Sequence, residues 1–395
     1  MNLIGQDVTV LGAGIAGLAT ARALALRGAR VRLLEQATEI SEVGAGLQIS
    51  PNGAVVLDAL GLGKEFEEIS VASRGAVLRD YAQGAEVLRL DLTRFGRFGL
   101  VHRADLIALL ERGARDAGVQ IELGVHVASV HLNGRRPVLF IDGADAERDE
   151  LLVAADGLHS RLRAALLGDE APRFTGQVAW RTLLPIEPGE VPHEAQVFMG
   201  RGRHLVVYPL RGGRLLNVVG VLETPEWTAE GWNHAGDPAA FRAHFSEFGG
   251  PVRGWLERVE SVMVWGLFRH GVATQWHGSN AVLIGDAAHP TLPFLAQGAC
   301  MALEDAWVLA EMLVSHDTNN AALDSFEALR RPRCRRIVDA ATANARNYHL
   351  RAGPIRGIAH AGLRTIGAVA PGFMPDRFAW LYAHDVTARQ QPSGS

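Results

Sequence analysis

The sequence predicts an α/β protein: a parallel sheet with crossover helices, interrupted by a β-rich insertion and closed by a helical C-terminal region. Three observations carry this reading. A short apolar run, DVTVL (7–11), passes through GAGIAG (12–17) into the helix-periodic LATARALALRG and then into RVRLLE (30–35). Two later segments, LLVAADG (151–157) and AVLIGDAAHP (281–290), each run a buried apolar strand into a turn bearing an aspartate. Between them, 173–271 reads as successive strands, QVAWRTLLP, AQVFMG, HLVVYPL and LLNVVGVL, separated by Gly/Arg-rich turns.

The first unit is the most specific. Gly12 permits a tight turn, Gly14 lets a pyrophosphate approach the backbone, and Gly17 lets helix and strand pack closely. Ile15 and Ala16 lie between them where the helix begins. That helix N-terminus offers free N–H groups and the positive end of its dipole to phosphates. Gly28 stands where a C-cap glycine belongs. Glu35, ending the second strand, suits a ribose diol, and an acid there favours FAD or NAD over NADP. A Rossmann-like dinucleotide domain therefore spans 1–72, 98–172 and 272–330.

The β-rich substrate domain takes 73–97 and 173–271, with GAVLRDYAQGAEVLRLDL (75–92) as a hairpin joining it. Alternation in HLVVYPL puts His204, Val206 and Tyr208 on one face and Leu205, Val207 and Pro209 on the other. Helices follow near 238–248 and 251–258, and 331–395 forms the helical C-terminal region. Its basic run RRPRCRR (330–336) reads as a solvated helix end.

A net charge of −4 argues against a dedicated nucleic-acid binder. Cys300 and Cys334 alone build neither a disulfide framework nor a cysteine zinc site. Neither His102, His159, His289 nor His360 reaches metal-ligand spacing with a cysteine in sequence, so no metal is expected. No run of about 18 apolar residues would span a membrane. MNLIGQDVTVLGAG is not a secretory signal, and the expected location is the cytoplasm.

GAGIAG with Glu35, then ADG (155–157), then GDAAHP (285–290) and AQGACMALEDA (296–306) occur in this order. With these, the chain from residue 7 to about 385 resembles the single-component FAD-dependent aromatic hydroxylases. It is most like the branch of salicylate, 3-hydroxybenzoate, 6-hydroxynicotinate and urate hydroxylases. The resemblance implies FAD as cofactor and NADH or NADPH as electron donor. It implies transfer of an oxygen atom from O2, through a flavin C4a-hydroperoxide, to a small phenolic or N-heteroaromatic ring with or without a carboxylate. A homodimer is compatible with it.

Residue by residue, the resemblance gives Asp286 to the ribityl chain and Pro293 to the loop facing the flavin ring. It aims the N–H groups of Gly298 and Ala299 at the flavin pyrimidine carbonyl, a role a helix N-terminus suits physically. Arg103, leading HRADLIALL (102–110), contacts the ribityl-phosphate region. Asp156 supports the FAD fold and the nicotinamide cofactor, and Val127 lies by the adenine. Gln48, in VGAGLQISPN (43–52), departs from the pattern: the 6-hydroxynicotinate hydroxylases carry a histidine base there. Glutamine takes no proton at neutral pH, so either Gln48 only positions ligand or flavin, or the substrate needs no base there. Tyr208 matches a family tyrosine that donates to a substrate oxygen. His204, Arg181 and Arg211 are candidates for a substrate carboxylate, and Trp180, Phe198, Phe268, Leu292 and Phe294 for an apolar, aromatic cavity.

Two other readings compete. An oxidase or halogenase on the same fold is one, but no WxWxIP motif is present and Lys64 is the only lysine. A non-catalytic carrier or escort is the other; such a protein could lose Glu35 or Asp286, and both stand here.

Overall fold

The computed structural model describes residues 3–40, 46–132, 134–144, 146–225, 234–349 and 354–388; residues 43–45 of VGAGLQISPN lie outside these. DVTVL becomes the strand Asp7–Leu11 at the centre of a parallel sheet. In spatial order the parallel strands are Ala281–Leu283, Leu152–Ala154, Asp7–Leu11, Arg30–Glu35 and Gln120–Leu123. His277–Gly278 adds an antiparallel edge. Burial on both faces explains why these strands read as unbroken apolar runs rather than alternating ones. Helix Ile15–Ala25 packs against Gly298–Ser315 and Arg103–Asp116. The larger core lies in this layer, with Val10, Leu18, Leu33, Val153, Leu283 and Leu309 all fully buried.

An eight-stranded second sheet follows, with the Gly75–Asp80/Glu86–Asp91 hairpin joined parallel to strand Ala195–Gly200. Register fixes its faces. Tyr208 pairs with Asn217, Arg181 with Val219, and Ala179 with Trp265. Since pleated strands alternate, His204, Tyr208, Asn217, Val219, Arg181, Met263 and Trp265 share one face. The opposite face carries Leu205, Val207, Val218, Trp180, Phe198 and Val262. It is roofed by helices Pro238–His244 and Pro251–Glu257 through Phe241, Phe245 and Trp255. A Cβ on Gly220 would come within 2.6 Å of the Phe245 ring, so this glycine lets the first helix seat.

This layering corrects the aromatic cavity. Trp180 packs on Phe241 and Phe198 on Trp255, while Phe268 packs on Phe174 with centroids 5.3 Å apart. All three belong to the helix-covered side. Trp180 and Phe198 spend their apolar surface on joining the two small helices to the sheet.

The C-terminal region is helical where described, over Asn319–Tyr348, Pro354–Val369, Phe373–Arg377 and Ala379–Tyr382. The basic run is not a solvated helix end. It lies inside Asn319–Tyr348, and Arg330 is 1% exposed. Arg330 bonds Glu304 at 2.5 Å and Asp305 at 2.8 Å, and Arg333 bonds Glu304 at 2.7 Å. Two buried acids on helix Gly298–Ser315 demand cations, and this run supplies them. Among the described residues, no helix is long and apolar enough to cross a membrane.

Candidate functional site

The three glycines of GAGIAG differ in their surroundings. Gly12 has φ +94°, and a Cβ there would lie 2.6 Å from the Ala155 carbonyl oxygen. A Cβ on Gly17 would lie 1.9 Å from the Gly12 carbonyl oxygen. A Cβ on Gly14 would meet nothing within 4 Å, so this residue faces open space at the helix N-terminus, ahead of Ile15 and Ala16. The Glu35 carboxylate is fixed beside that opening by the N–H groups of Ala13 (2.7 Å) and Ala37 (2.9 Å). Val127 begins its strand just past Val125, whose N–H donates to the Glu35 carbonyl.

Asp286 sits in the turn Gly285–Ala287 after the strand Ala281–Leu283, with its side chain open to the cleft. Protein surrounding the carboxylate raises its pKa by desolvation, against the pull of His289 and Arg103. Arg103, the first residue of its helix, therefore shares this cleft. Asp156 caps the next turn: its Oδ2 accepts from the Arg161 N–H at 2.8 Å. Its Oδ1 is buried without a partner among the described residues. Gly298 and Ala299 open the 18-residue helix Gly298–Ser315, so their N–H groups have no partner within that helix. An open glycine cradle, two fixed carboxylates and two helix N-termini together fit a flavin dinucleotide.

A polar lattice invisible in the sequence motifs holds this side. Asn52 donates to Gln297 (3.0 Å) and Glu304 (2.7 Å), and Gln297 donates to Ser50 (2.9 Å). It ties strand Gly46–Ile49, which bears Gln48, to the start of the 298–315 helix. Asp305 braces the GDAAH turn by accepting from the Gly285 N–H (3.0 Å) and bonding His289 (2.5 Å). The ligand atoms of His289, Asp305 and Cys334 lie within 4.8 Å of one another. This corrects the expectation that no histidine meets a cysteine, since the spacing is made by folding and not by sequence. Arg330 already occupies Asp305 there.

On the substrate sheet, Tyr208 and Gln48 come together: the Gln48 side chain pulls the Tyr208 pKa down, against the larger effect of burial. Gly46 makes this possible, since a Cβ there would lie 2.4 Å from the Tyr208 ring. Asn217 holds the Gly46 N–H at 3.0 Å. Tyr208 is 4% exposed, and burial drives its pKa upward, so the hydroxyl stays protonated. Arg181 lies buried on the same face, its guanidinium 5.1 Å from the centre of the Trp265 ring. Leu292 and Phe294 flank Pro293 and pack with Trp265, Ala179 and Val221. Trp265 and Met263 lie on this same face, and sequence reasoning did not single them out. Arg211, by contrast, is committed to Asp105 through bonds of 2.9 and 2.8 Å.

His204 is 1% exposed, with its ring 5.5 Å from Phe294. Its Nδ1 lies 2.7 Å from His349 Nε2, and His349 Nδ1 lies 2.8 Å from Glu223 Oε1. Burial first, and then His349, hold its pKa well below the ordinary histidine value. It is therefore neutral, a group that exchanges hydrogen bonds and carries no charge. His349 and Glu223 were missed, and no local signal marks them.

The sequence profile of the FAD binding domain family matches residues 6–341. The 3-amino-4-hydroxybenzoate 2-monooxygenase PtnB3 of Streptomyces platensis is 33% identical over 96% of this chain and 96% of its own. The 3-hydroxybenzoate 6-hydroxylase of Klebsiella oxytoca is 32% identical over 86% and 88%. The structure of Klebsiella pneumoniae HpxO complexed with FAD and uric acid has a TM-score of 0.82 at 26% identity, over 95% of this chain and 97% of that one.

Proposed function

The chain belongs to the FAD-dependent aromatic hydroxylases, and within that family we propose that it hydroxylates a small phenolic acid of the hydroxybenzoate type, with NADH or NADPH as electron donor. The observation that carries the substrate class is the meeting, on one sheet face opposite Phe294, of a neutral buried histidine, a protonated tyrosine and a buried arginine. FAD, when bound, supplies the activation of O2 and the oxygen transfer. The residues of this chain hold, orient and deprotonate.

Gly12, Gly14 and Gly17 with Glu35 take the pyrophosphate and ribose, and Val127 lies by the adenine. Asp286 and Arg103 take the ribityl chain, and Asp156 supports the fold at its turn. The helix start at Gly298 and Ala299 stabilises negative charge on the pyrimidine edge of the flavin. Pro293 shapes the loop that faces the ring. Leu292, Phe294 and Trp265 keep water from the reacting carbon. Arg181 suits the substrate carboxylate as a buried guanidinium fork. Tyr208, oriented by Gln48, donates to a substrate oxygen. His204 accepts the phenol proton at Nε2, which enriches the ring in electrons.

The test is an NADH and NADPH oxidation screen on the purified flavoprotein. The ligands are 3-amino-4-hydroxybenzoate, 3-hydroxybenzoate, salicylate, 6-hydroxynicotinate and urate. We expect a yellow protein whose NAD(P)H oxidation one of the phenolic acids stimulates with formation of hydroxylated product. A colourless protein, or stimulation by urate alone, overturns the reading.

A further inference from the structure

We propose that His349 and Glu223 form a proton relay that carries the phenol proton from His204 out to solvent. The inference rests on the reading of His204 as the base that takes that proton. A base with no outlet would be a poor one here. A protonated imidazole at a 1% exposed site is a buried cation, and desolvation opposes it. Handing the second ring proton onward keeps every histidine neutral.

The geometry provides that outlet. Glu223 Oε1 accepts from His349 Nδ1–H at 2.8 Å, which leaves His349 Nε2 as an acceptor. His204 Nδ1–H donates to that nitrogen at 2.7 Å, which leaves His204 Nε2 bare for the phenol. The rings are held beside Phe294 and Tyr348, with the His204 ring 5.3 Å from Tyr348. Exposure runs in the right direction along the chain: the His349 side chain is 2% exposed and that of Glu223 is 56%. Glu223 also lines an open cavity of about 350 Å³ with Thr175, Gly176, Gln177 and Thr224. The relay thus starts at the pocket wall and ends in water.

The proton balance closes. The phenol O–H bond breaks as His204 Nε2–H forms. His204 Nδ1–H passes to His349 Nε2, and His349 Nδ1–H passes to the Glu223 carboxylate, which releases a proton to the cavity. Both rings are then in the opposite tautomer. Reprotonation of the hydroxylated product runs the same steps backwards and restores them.

The experiment is anaerobic stopped-flow mixing of the holoenzyme with 3-hydroxybenzoate, following the phenolate absorption band. His349→Gln and Glu223→Gln should each slow phenolate formation by about 10- to 100-fold. FAD content and ligand affinity should stay near those of the unaltered enzyme. In His349→Ala, the rate should rise with added imidazole, a response a merely structural role would not give. Phenolate formation at the unaltered rate in both His349→Gln and Glu223→Gln overturns the relay. Because Glu223 is exposed, Glu223→Gln decides the matter even where the histidine variant does not fold. Undiminished phenolate in His204→Asn, or none in the unaltered enzyme, overturns instead the assignment of His204 as the base.

Discussion

Valine at position 14 separates the cofactor role of GAGIAG from its structural role. Gly14 has φ −76° and ψ −176°, an extended conformation open to any L residue, and a Cβ there touches nothing within 4 Å. Gly14→Val should therefore leave the stability of the FAD-free protein within about 1 kcal/mol of the parent. Its two methyl groups would stand where the pyrophosphate must approach the backbone. Losing two charge-assisted hydrogen bonds, each about 1.5–3 kcal/mol, removes about 3–6 kcal/mol of binding. That corresponds to roughly 10²- to 10⁴-fold weaker FAD affinity. Gly17→Ala should do the reverse, because its Cβ would lie 1.9 Å from a backbone oxygen. Overpacking of that kind costs about 1–3 kcal/mol or more before any cofactor is added. Urea unfolding of the apoproteins and quenching of flavin fluorescence give the two quantities separately. Gly14→Val with unchanged FAD affinity, or as destabilised as Gly17→Ala without FAD, would refute this division of labour.

Other perturbations follow from the same structure. Asp286→Asn should weaken FAD binding about 10- to 100-fold, because it removes a charged acceptor that opens onto the cleft. Arg330→Met should destabilise by about 3–5 kcal/mol in chemical denaturation, since it strands Glu304 and Asp305 without their buried cation. Burial works against the Asp305 charge, but His289 and Arg330 overcome it and hold the carboxyl at about 2. Its contribution is thus present above about 4, the ordinary carboxylate value, and an acid titration followed by circular dichroism should show it lost as pH falls toward 2. Tyr208→Phe should keep FAD content and lower the product-to-NAD(P)H ratio, with about 1–3 kcal/mol lost in substrate binding; coupling equal to the parent would make Tyr208 a core residue. Trp180→Leu should lower the melting temperature and leave substrate KM unchanged, whereas Trp265→Leu should change KM.

What the sequence made legible was local. Gly12, Gly14, Gly17 and Glu35 lie in one βαβ unit, and Asp286, Pro293, Gly298 and Ala299 lie in one strand–loop–helix run. Spacing alone suggests the chemistry of the first set, and the family resemblance implies that of the second. Alternation sorted His204 and Tyr208 from Leu205 and Val207, but alternation says nothing about which face meets the cofactor. Trp180, Phe198 and Phe268 were misplaced for that reason: two apolar faces look alike until Phe241 and Phe245 are seen covering one of them. Pairings made across long stretches of chain were illegible in principle. Arg330 reads as solvated until Glu304 and Asp305 are placed beneath it. Likewise, nothing near His349 in sequence announces His204 or Glu223.

Oxygen labelling tests the central claim most directly. With 18O2 in unlabelled water, the purified flavoprotein, NAD(P)H and the phenolic acid that stimulates oxidation, mass spectrometry of the product should show one labelled oxygen atom on the ring. Product without label, or NAD(P)H consumed wholly to peroxide with every phenol in the screen, would contradict the assignment as an aromatic hydroxylase.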